Sequence, residues 1–273
     1  MRAYQRQATA KRVDDRMKLH RHVVPCGGRS YTVITLRPGT SARFSGNYYH
    51  GTWHILSDLH GAQVLARLLW GLAYQRVPGT LVLIDRPQLD PEPFSAEPAD
   101  PIALVPGELT SLPDRAAREI RARLPLTRSA GTVRWQTPGL DIALAAKQGT
   151  AAWTTRADSW RYASRPGDSR VSRTGGLVVF AGRPHVLKRW AVEVARLGSF
   201  LSPHGMDYVY LGDGSCRADG EVQVFTDYRQ RVSAARVGRR EVLAEIPRPL
   251  PPADTEKLIW DRGTAIRQRW SAC

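Results

Sequence analysis

Asp58 and His60, one residue apart in the run Ser57-Asp58-Leu59-His60-Gly61, are the side chains of this chain best suited to chemistry. Carboxylate oxygen and imidazole nitrogen are donors that hold divalent metals. Two such metals close together activate water and polarise a phosphoryl group. A second role needs no metal. Ser57 or Asp58 ahead of a helix is a standard N-cap, favoured there by the helix dipole, with Gly61 easing close packing in the first turn.

The elements around this turn are legible. Trp53–Leu56 reads as a short strand. Leu65, Leu68, Leu69 and Leu72 then recur at helical spacing, with Arg67 and Arg76 the only charges, so the helix should be largely buried. Val77-Pro78-Gly79-Thr80 stops it, and Leu81–Ile84 suits a buried strand. Strand, helix and strand in so short a span predict a βαβ crossover with parallel strands. A second unit of the same order follows at Leu177–Leu211. The expected fold is therefore α/β: a mixed sheet built around two βαβ units, with additional antiparallel strands and a C-terminal helix. Tyr31–Leu36, Gly131–Thr137, Glu221–Tyr228 and Arg240–Ile246 are the expected added strands, and the terminal helix starts near Asp254. Residues 1–22 read as a basic, flexible arm and 23–273 as one domain, with an acidic, proline-rich loop at 85–114.

The stretch Ile55-Leu56-Ser57-Asp58-Leu59-His60-Gly61 resembles the first motif of the calcineurin-like metallophosphoesterases, in which a strand delivers an Asp and a His to a two-metal centre. The resemblance implies a metal-dependent phosphoesterase or nuclease, with Asp58, His60, Asp85 and His185 as ligands of a divalent metal. It covers some thirty residues. The family's intervening Asn-His motif has no counterpart, because Asn47 is the only asparagine and no histidine lies between His60 and His185.

Charge points elsewhere. The net charge is +15, carried by 35 Arg and 5 Lys against 25 acids. Such a surface attracts polyanions, and arginine in particular holds phosphate bidentately. Trp153, Arg156, Trp160, Arg161, Tyr162, Arg165, Arg170 and Arg173 interleave aromatics with cations, the pattern that stacks unpaired bases and neutralises phosphates. Arg229, Arg231, Arg236, Arg239 and Arg240 form a second basic cluster. No phosphate loop or dinucleotide fingerprint occurs, so no cofactor is expected. His20, His22 and Cys26 fall short of the four ligands of a structural zinc site. Cys26, Cys216 and Cys273 are not a disulfide framework and fit a reducing cytoplasm. No apolar run is long enough to cross a bilayer, so no membrane partner is expected. The first expectation is a cytoplasmic protein that binds nucleic acid or another polyanion. A metal-dependent phosphoesterase is the alternative, and a protein-interaction module using the acidic loop is a third.

Overall fold

The computed structural model describes residues 16–147, 165, 167–199, 201–202, 205–212, 220–246 and 250–271. The chain is mixed α/β, as expected, but it builds two sheets rather than one. The larger has seven strands: β1 (Arg16–Cys26), β2 (Arg29–Thr35), β5 (Thr80–Ile84), β6 (Ile102–Pro106), β7 (Gly131–Gln136), β8 (Ser169–Thr174) and β9 (Leu177–Gly182), in the order β7-β1-β2-β5-β6-β9-β8. The smaller has four: β3 (Phe44–Tyr49), β4 (Thr52–Ser57), β10 (Met206–Leu211) and β11 (Gly220–Phe225), in the order β10-β11-β4-β3.

Both strand–helix–strand units exist, and each passes from one sheet to the other. β4 leads through α1 (Leu59–Leu72) to β5, and β9 leads through α4 (Pro184–Ala195) to β10. The parallel partners expected within each unit are supplied from elsewhere: β4 lies parallel to β11, β5 to β2, and β6 to β9. The physical reason is the composition of α1. Ten of its fourteen residues are buried, on every side but the narrow stripe of His60, Gln63 and Arg67. A crossover helix on one sheet buries a single stripe and exposes the rest. α1 instead contacts strands of both sheets and packs along α4, so that one core joins Ile34, Val82, Leu104 and Phe180 of the large sheet to Ile55, Val222 and Val224 of the small one.

The far face of the large sheet, including Val33, Leu83, Val105 and Val179, is covered by Ala116, Ala117 and Ile120 of α2 (Asp114–Arg121). On the far face of the small sheet, Leu56 and Phe225 meet Tyr228 and Val232 of α5 (Tyr228–Glu245). A short α3 (Leu140–Ala145) lies beside α4. The terminal α6 (Pro252–Ser271) packs on α5 so closely that a Cβ on Gly238 would stand 3.0 Å from the backbone nitrogen of Gly263.

Three expectations need correction. Residues 16–22 are not part of an arm but the first seven residues of β1, paired with β7 up to Arg21 and with β2 from His20: Met17 and Leu19 turn to the core while Lys18 and His20 alternate outward. Pro25, which cannot donate to a ladder, falls beyond Arg21, where β7 no longer accompanies β1. Second, the proline-rich segment 85–114 contains β6, a fully buried central strand; its apolar run Ile102–Val105 outweighs the flanking prolines. Third, Arg240–Ile246 is not a strand, because all but Ile246 belongs to α5, where Val232, Ala235, Gly238 and Val242 recur at helical spacing on the buried side.

Candidate functional site

At the Asp58 turn, the carboxylate does what a cap does. Asp58 Oδ1 accepts a hydrogen bond from the Gly61 amide at 2.7 Å, in the extended conformation typical of an N-cap. Gly61 is required by sterics: a Cβ there would collide with Ser57 Oγ, which donates to the Arg43 carbonyl at 2.6 Å. The other Asp58 oxygen faces Arg229 Nε of α5 at 3.6 Å. His60 is exposed and shares a hydrogen bond with Ser41.

The other two sequence-proposed metal ligands lie elsewhere. Asp85 follows β5, and burial raises its carboxyl above the ordinary range against the opposing pull of Arg86. His185 sits in the first turn of α4 with its Nε2 3.1 Å from Asp168 Oδ2. Burial of Asp168 works against its charge, but the Arg165 amide, His185 and Arg183 outweigh it and hold the carboxyl below its usual value. Among the described residues no three His, Cys, Asp or Glu side chains converge as a metal centre requires. The four residues are thus taken up by separate partners: an N-cap, a serine contact, a strand end and a His–Asp pair.

The basic cluster of α5 is largely committed to neighbouring acids. Arg231 binds Asp227, Arg236 binds Asp90 and Arg239 binds Glu97, while Arg229 reaches Asp58 and the Ser41 carbonyl. Burial raises the Asp90 carboxyl, and Arg236, Arg43 and Arg229 counter it. These arginines staple α5 to the acidic segment and to the start of α1. Arg240 is exposed with no acidic partner among the described residues. In the other cluster, Arg173 is paired with Asp100, and Arg165 and Arg170 are exposed. Trp153, Arg156, Trp160, Arg161 and Tyr162 lie outside the described residues.

A group of cations without acidic partners among the described residues stands at the opposite edge of the large sheet. No Asp or Glu occurs between Asp15 and Asp58, nor between Glu119 and Asp141. Those two acid-free stretches supply the three neighbouring strands β7, β1 and β2. Lys18 of β1 stands directly opposite Arg134 of β7, and His20 is flanked by Thr132 and Thr35. Strand alternation turns Lys18, His20, Thr132 and Arg134 away from the core residues Leu19 and Trp135. Lys18, Thr132 and Arg134 are exposed and His20 is half-buried. Arg21, Arg29 and Arg128 add exposed charge around the same three strands. Clustering arginines along the chain missed this surface. A search for stretches lacking acids would have found it.

The small sheet carries a buried polar pair. His54 of β4 lies beside Glu221 of β11, with Nε2 3.7 Å from the carboxylate. Burial, reinforced by His50, lowers the His54 pKa from 6.5 to about 4. Comparison with family models, curated proteins and solved structures finds no match for this chain.

Two outcomes follow from these contacts. Asp58→Ala should cost about 1 kcal/mol of stability in urea unfolding while Asp58→Asn, which can still cap, costs much less; an equal loss in both would contradict the capping role. The depressed His54 pKa means that the unfolded chain takes up a proton before the folded one does. Its contribution to stability is intact above pH 6.5 and is lost as pH falls towards about 4. Melting temperatures measured across that window should fall more steeply in the wild type than in His54→Gln.

Proposed function

We propose that this protein binds a nucleic acid, or a polyanion of like charge density, through the backbone phosphates, using the part of the β7, β1 and β2 face that α2 leaves uncovered, around Lys18, His20, Thr132 and Arg134. The observation that carries the reading is the Lys18–Arg134 pair. Like charges directly opposite on adjacent strands are destabilising, by ~0.5 kcal/mol, and among the described residues neither has an acid beside it. A phosphate seated between them offsets that cost and releases counterions from the nucleic acid. Among the described residues no large exposed aromatic stands on this face, which favours phosphate contacts over base stacking. This moves the reading away from the arginines of α5, whose charge is met within the protein. Charged residues on β7 also discourage edge-to-edge pairing. That role would explain Arg134, and Lys18 stands beside it on β1, ahead of the point where β2 joins at His20.

Cys26, buried and free, suits a reducing cytoplasm, and no described helix is long and apolar enough to cross a membrane. The test is an anisotropy titration with a labelled oligonucleotide over a range of salt. Each lost phosphate contact should flatten the slope of log K against log salt by about 0.9 on duplex or about 0.7 on single strand. Lys18→Ala with Arg134→Ala should therefore weaken binding irrespective of sequence and flatten that slope by roughly 1–2. Arg236→Ala with Arg239→Ala should lower stability and leave the slope unchanged; the reverse pattern would sink the proposal.

A further inference from the structure

At the other edge of the large sheet, a cavity of about 680 Å³ opens between β8, the end of β9 and the loop that leads from β6 into α2. That is within the range of small-molecule pockets. Its floor is apolar, made by Val105 of β6, Val179 and Ala181 of β9, and Leu112. Three carboxylates border it, and each is already engaged. Glu108 is bound by Arg183 at 2.8 Å, Asp114 by Arg118 and the Gly175 amide, and Asp168 by His185, Arg183 and the Arg165 amide. Arg183 is in turn held between Glu108 and Asp168.

Arg170 is different. It stands on β8 directly opposite Ala181, on the same face of the sheet as the cavity floor, because its neighbour Val171 turns into the opposite core. It lines the cavity, is exposed, and has no acidic partner among the described residues. We infer that this cavity binds a small organic anion, an apolar body resting on the valine and alanine floor with its carboxylate or phosphate on Arg170. Bidentate pairing with a planar or tetrahedral anion is what guanidinium geometry provides. The site is independent of the β7–β1–β2 surface.

Calorimetric titration of the full chain with benzoate, phenyl phosphate and phenol tests it. At least one of the two anions should bind tenfold or more tightly than phenol, and which one does decides between carboxylate and phosphate. Amide shifts in an NMR titration with that anion should localise to Val105, Val179 and Ala181. Arg170→Ala, a surface change that should leave the melting temperature unaltered, should reduce the anion's affinity to that of phenol. Lys18→Ala with Arg134→Ala should leave it unchanged, separating this site from the polyanion surface. No binding of either anion, equal binding of anion and phenol, or an Arg170→Ala protein that binds as the wild type does would overturn the inference.

Discussion

The burial of α1 is the constraint on which the rest of the molecule depends. A helix with ten buried residues in fourteen leaves only the narrow stripe of His60, Gln63 and Arg67 to water. Each large apolar side chain left exposed would forfeit roughly 1.5–3 kcal/mol. One sheet can cover only one side. The second sheet, with α4 alongside, supplies the remainder, and this is why each strand–helix–strand unit is divided between two sheets. Asp58 starts that helix, and Gly61 lets its first turn close on Ser57. The turn that most resembles a metal motif is thus the point where the central helix is fixed.

Electrostatics divides the surface by where the acids are. Asp58, Asp90, Glu97 and Asp227 meet the arginines of α5, and Asp100, Asp114 and Glu119 meet arginines of α2 and β8. Those pairs hold elements together and add little to the outer field. The strands β7, β1 and β2 have no acids of their own. There the positive charge meets no acid from the same strands. The net charge is a property of the whole sequence, but its availability is set by this partition.

Much of the fold was legible in the sequence because apolar period was strong. α1, β5, β9 and α4 lie close to where their patterns placed them, and the α/β class followed from their order. β1 was not legible as a strand because Lys18, His20 and Arg21 are basic, which masks the alternation of Met17 and Leu19 as a charged arm. β6 was hidden by the prolines on either side. Arg240–Glu245 has β-branched and apolar residues in a short run, and only the longer register from Val232 reveals the helix. Of the candidate sites, the capping role of Asp58 was readable from local rules. The fate of the arginines was not, because their partners Asp90 and Glu97 are more than a hundred residues away along the chain.

The most direct test of the central claim is a chemical footprint. Arginine and lysine side chains would be modified with and without a bound oligonucleotide and read by mass spectrometry. Protection of Lys18 and Arg134, with the arginines of α5 unchanged, is the result expected of a polyanion seated on β7, β1 and β2. Protection confined to the α5 arginines, or to Arg156 and Arg161, would contradict it.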